Sequence, residues 1–275
     1  MGSFSAIASL PRRLEGKIAL ITGGASGIGE RTARLFCRSG AKVVIADVQD
    51  ELGESVCRDL GLDKASFVHC DVTNETHVRD AVDSVVSRHG RLDVLFNNAG
   101  ITDPLRPSIV DTPKTDFDRV VAVNLAGVFL GTKHAARVMI PRLRGSIVNA
   151  ASINAVMGSA TSTHAYVCSK HAVVGLTKNA AVELGRFGIR VNCVSPFGVA
   201  TPFAQKLVNM TAEEIEGALS HLGNLKGVCL KPEDVADGVA FLASDDAKYV
   251  SGHNLVIDGG FTVCSPSPPL PETGA

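Results

Sequence analysis

The chain has no tryptophan and only two tyrosines, Tyr166 and Tyr249, among 275 residues. Chemistry that needs a phenol therefore has two candidates. Neither sign of charge dominates: 27 Lys and Arg face 28 Asp and Glu, a formal net charge of −1. Without a basic excess, no nucleic acid partner is expected. No apolar run approaches the roughly 18 residues that cross a bilayer, so no membrane span is expected. Cys37, Cys57, Cys70, Cys168, Cys193, Cys229 and Cys264 include no Cys-x-x-C pair. An odd, scattered set of this kind indicates reduced thiols, and the expected location is the cytoplasm. The eight histidines form no H-x-x-x-H pattern beside a carboxylate, so no metal site is expected. Residues 1–6 lack a charged start and apolar core, which speaks against a secretory signal. Ala6 stands where a myristoylation signal needs Ser or Thr.

What is present is an alternation of short apolar runs and helical patterns. Strands are expected at 17–22, 42–47, 66–70, 92–96, 146–150, 189–194 and 254–257. Helices are expected at 30–37, 51–60, 75–88, 115–139, 165–186 and 232–243. Strands separated by helices of ten or more residues imply an α/β fold: a Rossmann-like, doubly wound parallel sheet of about seven strands with helices on both faces. No linker divides it, so one domain is expected over 14–263, between a loose tail at 1–13 and a proline-rich tail at 264–275. The stretch 202–231 is too long for a simple strand–helix connection and reads as an irregular lid over a substrate. Leu270-Pro271-Glu272-Thr273-Gly274 spells a sortase-type signal without the apolar tail that should follow, a chance match or an engineered tag.

Thr22-Gly23-Gly24-Ala25-Ser26-Gly27-Ile28-Gly29 joins the first strand to the first helix. Glycines there let backbone approach a phosphate, and the helix N-terminus supplies free N–H groups. The spacing is wider than G-x-G-x-x-G, and an ordinary strand–helix turn is the competing reading. Asp47 ends the second strand 18 residues past Gly29. A carboxylate there accepts hydrogen bonds from adenosine ribose hydroxyls and repels a 2′-phosphate. Val48 and Gln49 are not basic, and Ser26 brings no cation, so NAD is favoured over NADP; the competing reading of Asp47 is a cap for the helix near Asp50. Asp71 follows the third strand and Asn97-Asn98-Ala99-Gly100 the fourth, both at carboxyl ends, where open α/β sheets bind ligands.

Ser152 follows the fifth strand, and Tyr166 comes 14 residues later with Lys170 one helical turn beyond. Hydroxyl, phenol and ammonium form a plausible acid–base set beside a nicotinamide: Tyr166 as phenolate takes an alcohol proton, Lys170 lowers its pKa, and Ser152 bonds the developing carbonyl.

Taken together, these motifs and Ser195-Pro196 leading to Thr201 resemble the short-chain dehydrogenase/reductase family over about residues 14–263. His134-Ala135-Ala136-Arg137, Gly223-Asn224-Leu225-Lys226-Gly227 and Tyr249-Val250-Ser251-Gly252 resemble its plant group of secoisolariciresinol and borneol dehydrogenases, which oxidise terpenoid or phenylpropanoid hydroxyls with NAD. The resemblance implies catalytic roles for Ser152, Tyr166, Lys170 and Asn124, the last holding a water that relays protons to Lys170. A strict 13-residue count would select Ile153 in place of Ser152. The resemblance also implies cofactor contacts from Gly23, Ser26, Gly27, Ile28, Gly29, Asp47, Val48, Asp71, Val72, Asn98, Ala99, Gly100, Tyr166 and Lys170. In relatives the loop bearing Pro196, Val199 and Thr201 closes on the nicotinamide. A homotetramer is the usual assembly of such relatives.

The substrate pocket is expected from Ile101, Ile153, Asn154, Met157, Phe197 and Phe203. The set is mostly apolar and offers no arginine to clamp a carboxylate or phosphate, so a bulky, weakly polar alcohol or its ketone suits it. Three functions compete. The first is an NAD-dependent alcohol dehydrogenase acting on a terpenoid- or lignan-like secondary alcohol or lactol. The second is a redox-silent cyclase or isomerase that keeps NAD bound. The third is a nucleotide-sensing protein, which would have no use for the tyrosine–lysine pair.

Overall fold

The computed structural model describes residues 12–106, 108–159 and 162–264. The Leu270–Gly274 motif and most of both expected tails lie outside them. Seven parallel strands form one sheet in the order β3-β2-β1-β4-β5-β6-β7. They are β1 Ile18–Thr22, β2 Lys42–Asp47, β3 Ala65–His69, β4 Val94–Asn97, β5 Gly145–Ala150, β6 Ile189–Pro196 and β7 Asn254–Ile257. From β1 the chain winds outward through β2 and β3, then returns to the middle and winds the other way from β4. The reversal opens a crevice at the carboxyl ends of β1 and β4.

Both faces of the sheet are covered, which is why its strands read as continuous apolar runs. Along β1 the side chains alternate: Ala19 and Ile21 join one buried cluster, Ile18 and Leu20 the other. The first cluster is completed by α1 (Gly27–Arg38), α2 (Asp50–Leu60) and α9 (Pro232–Ala243) through Phe36, Val56, Val235 and Val239. The second is completed by α3 (Glu75–His89), α5 (Gly127–Met139) and α6 (His164–Gly185) through Val82, Val85, Met139 and Leu184. Phe36 and Phe96 are wholly buried, and truncating such a residue to alanine costs about 3–5 kcal/mol.

Two departures from the expected elements matter for the site. The helix expected at 115–139 is α4 (Lys114–Val121) running into α5 through a π-helical turn at Ala122–Ala126. This wider turn carries Asn124; such insertions re-aim side chains and concentrate at functional sites. The stretch expected to be irregular holds two helices, α7 (Pro202–Val208) and α8 (Ala212–Leu222). Thr201 caps α7, and Thr211 with Glu214 forms a capping box on α8. Leu219 packs α8 against Gly198, where an added Cβ would lie 2.5 Å from its Cδ2. After α8, Leu225 donates to the Gly259 carbonyl at 3.1 Å, tying this region to the segment following β7. No described helix is long and apolar enough to cross a membrane.

Candidate active site

A cavity of about 410 Å³ runs along the carboxyl ends of the strands, from Asp71 and Asp47 through the glycine turn to Tyr166 and Lys170. At the turn, Gly23 and Gly27 have positive φ angles of 63° and 56°, conformations that glycine adopts without strain. Gly29 is needed for space: a Cβ there would lie 2.1 Å from the Gly23 carbonyl oxygen. Thr201 lies over Gly27, its Cβ 3.4 Å from where a Gly27 Cβ would stand. The loop after β6 thus roofs the turn.

Asp47 is 5% exposed. One carboxylate oxygen accepts the Ala25 N–H at 3.0 Å, and the other accepts the Gln49 N–H and side-chain amide at 3.1 and 3.2 Å. Asp47 therefore ties β2 to the glycine turn. It also bonds the N–H of Gln49, the residue at the N-cap position of α2, and none of the N–H groups of the helix itself among the described bonds. Asp71 bonds the backbone and hydroxyl of Thr73, and with the Thr73 backbone bond as the largest cause its carboxyl titrates below the usual range. Asn98 lines the cavity, but its amide is committed to the Thr22 and Gly23 carbonyls at 3.2 and 2.9 Å. Its contribution to the cavity is therefore to hold the turn in place.

At the other end, Lys170 is 4% exposed and forms no ion pair among the described residues. Its ammonium donates to the Ala150 carbonyl at 2.7 Å. Burial alone brings its pKa down to about 8. The Tyr166 phenol is shifted the other way: burial raises it, and hydrogen bonding with Ser152 draws it part of the way back. The expected lowering by Lys170 and an oxidised nicotinamide is not the dominant effect here: desolvation is the largest cause, and its direction is upward.

Asn124 is fully buried. Its oxygen accepts the Ile101 N–H at 2.8 Å, and its amide donates to the Ile101 carbonyl at 2.8 Å and to the Ser169 hydroxyl at 3.2 Å. A Cβ on Gly100 would lie 3.5 Å from the Asn124 oxygen and 3.6 Å from the Lys170 nitrogen, so both side chains converge on that glycine. With both amide hydrogens bonded, the Asn124 side chain holds Ile101 and α6 in register.

Gly23, Ser26, Gly27, Ile28, Asp47, Val48, Asp71, Val72, Asn98, Ala99 and Gly100 line this cavity, together with Ile101, Tyr166, Lys170, Pro196, Thr201 and Phe203. Gly29 lies beneath the turn, Val199 is buried in the core, and Phe197 stacks on Phe261 with centroids 4.7 Å apart. Ser152, Ile153, Asn154 and Met157 stand just outside the lining. Asn154 donates to the Ser162 hydroxyl at 2.6 Å and leaves its own oxygen buried without a partner. Cys70, Gln49, Val123, Ala150 and Ala151 also line the cavity and were missed from the sequence. Most follow or end a strand at its carboxyl edge, the one signal that could have found them.

Comparison with known proteins agrees with this arrangement. Residues 23–262 match a family model described as enoyl-(acyl carrier protein) reductase. Secoisolariciresinol dehydrogenase of Forsythia intermedia is 59% identical over 260 residues, 94% of each chain.

The chain belongs to the short-chain dehydrogenase/reductase family.

A mitochondrial borneol dehydrogenase of Lavandula x intermedia is 59% identical over 254 residues, 92% of this chain and 93% of the other. Among solved structures, levodione reductase superposes with a TM-score of 0.85 at 35% identity, covering 92% of this chain and 100% of its own. The short-chain dehydrogenase/reductase fold implies a nicotinamide cofactor, and the residues fit one. The glycine turn and the first residues of α1 line the cavity, so backbone at a helix N-terminus is available to a phosphate, and buried Asp47 lies on the same lining.

Proposed function

We propose that this protein is an NAD-dependent dehydrogenase that oxidises a secondary alcohol or lactol of an apolar, terpenoid- or lignan-like molecule, with Tyr166 as general base. The observation that carries the proposal is the placement of Tyr166. It is the one tyrosine on the cavity, with Ser152 as a hydrogen-bond partner and the Lys170 ammonium 5.5 Å from its ring centroid. When bound, the nicotinamide supplies the hydride acceptor. The Tyr166 phenolate takes the alcohol proton, and Ser152 aligns the alcohol oxygen and bonds the carbonyl that develops from it. Lys170, carrying its charge below about pH 8, draws the phenol toward ionisation once substrate and cofactor displace water.

Asp47 supports NAD over NADP. It is buried at the adenosine end, and the described lining contains no arginine and no lysine besides Lys170. A 2′-phosphate would meet a carboxylate and no cation. The apolar substrate is supported by Ile101 and Phe203 on the lining and by exposed Val156, Val208 and Met210 in the segments that follow β5 and β6. The relatives named for secoisolariciresinol and borneol act on alcohols of this class.

We further assign a homotetramer in the cytoplasm. Val182 on α6 is 83% exposed and Phe129 on α5 49%, apolar surface of the kind that subunits cover. All seven thiols are free, as a reducing compartment requires. The test is a panel of monoterpene, diterpene and lignan alcohols with NAD, followed by NADH absorbance. NADH formation with at least one of them is expected. Consumption of a substrate without NADH would replace the proposal with a redox-silent cyclase or isomerase.

A further inference from the structure

Tyr166 is held at both ends of its backbone by one short segment after β4. On one side its N–H donates to the Thr163 hydroxyl at 3.3 Å, and that hydroxyl gives its single proton to the Asp103 carboxylate. On the other side its carbonyl accepts from the Ser169 hydroxyl at 2.8 Å. Ser169 in turn is bonded by Asn124, which grips Ile101 through both backbone groups. Ile101 and Asp103 are two residues apart, so the chain of contacts closes on itself through Thr102.

Asp103 is the unusual member. It is 2% exposed and forms no ion pair among the described residues. A carboxylate buried without a cation is costly unless something compensates it. Here the compensation is a hydroxyl at the N-terminus of a 22-residue helix. Because a carboxylate oxygen accepts, the Thr163 O–H points at Asp103 and its lone pairs remain turned to the Tyr166 N–H. First-turn N–H groups have no partner within a helix and fray easily. Tyr166 is in that first turn.

We propose that Asp103 is a positioning residue: through Thr163 it fixes the first turn of α6, and with it the Tyr166 phenol relative to Ser152 and the cavity wall at Ile101. The proposal rests on Tyr166 being the general base, since only then does its placement govern turnover.

The test uses the full chain with Asp103→Leu, Asp103→Asn, Thr163→Val and Thr163→Ser. Displacing a catalytic group by about 1 Å costs on the order of 100-fold, so D103L and T163V should lose about 10- to 100-fold in kcat while KM for NAD stays within about twofold. D103N keeps an acceptor and T163S keeps the hydroxyl, so both should retain most of kcat. A second readout needs no turnover. With isotope-labelled tyrosine the protein gives two tyrosine signals by NMR, and fully exposed Tyr249 serves as the internal reference. The Tyr166 titration should move in D103L and T163V and stay in place in T163S. Unchanged kcat and titration in D103L and T163V would overturn the proposal. So would a loss of kcat matched by equal losses of cofactor affinity and thermal stability that T163S fails to rescue. If the wild type oxidises no alcohol, the functional reading fails, while the tyrosine titration still decides whether Asp103 positions Tyr166.

Discussion

Lys170 holds its ammonium 5.5 Å from the centroid of the Tyr166 ring and donates its hydrogen bond to the Ala150 carbonyl, at 2.7 Å. The two side chains sit one turn apart on α6, yet their link is a cation over a ring face. Burial then acts on them in opposite senses, disfavouring the charged form of each.

That opposition predicts a stability profile. The Lys170 pKa falls from 10.5 to about 8 on folding, so between those values the unfolded chain binds a proton that the native chain lacks. Stability therefore rises with pH across that window, by up to roughly 3 kcal/mol, and the penalty is complete below it. Tyr166 is raised above 10.0, so it lowers stability as pH climbs past that value. The melting temperature of cofactor-free protein should climb from about pH 8 toward pH 10, and Lys170→Met should remove the climb. Equal slopes in the two proteins would contradict the assignment.

Tyr166→Phe removes the only phenol on the cavity without changing the packing of its ring. Turnover should fall by about 10²–10⁴-fold, the usual contribution of a general base. NADH binding, measured by calorimetry, should stay near wild type. A variant that still turns over alcohol at the wild-type rate would take Tyr166 out of the reaction.

Asp47→Ala should narrow the preference for NAD over NADP by at least about tenfold in kcat/KM, chiefly by raising KM for NAD. The same change frees the Ala25 and Gln49 N–H groups, so some loosening of the glycine turn accompanies it. A wild type that prefers NADP would refute this reading of the residue.

Two glycine substitutions should move in opposite directions. Gly29→Ala drives a methyl group to 2.1 Å from the Gly23 carbonyl, and cofactor binding should be lost in a calorimetric titration. Gly217→Ala, in α8 with nothing within 4 Å, should raise stability by about 0.5–1 kcal/mol in denaturant melts. Tight cofactor binding by G29A would show that the turn can yield.

Much of this architecture was legible because two simple periods write it into the chain. The runs 18–21 in β1 and 43–46 in β2 are apolar because helices cover both faces, and α9 occupies the residues that its helical pattern picked out. The cavity was legible because its loops follow strands. The π turn was not: one extra residue in a helix barely disturbs the apolar pattern around Asn124. Helices α7 and α8 are short, and their clearest sign, Thr211 three residues before Glu214, is a local pattern that a search for long periods passes over. Asp103 and Thr163 are 60 residues apart in sequence, and nothing local to either announces the other. The direction of the Tyr166 shift depends on burial, which spacing does not encode.

The contact of Thr201 with Gly27 makes one loop the roof of the glycine turn and, through the Thr201 cap, the root of α7. A loop shared by the two ends predicts that catalysis has a sequence in time. The dinucleotide should arrive first and depart last, with the alcohol and its ketone exchanging in between. Product-inhibition patterns would display that order as competition between NADH and NAD alone.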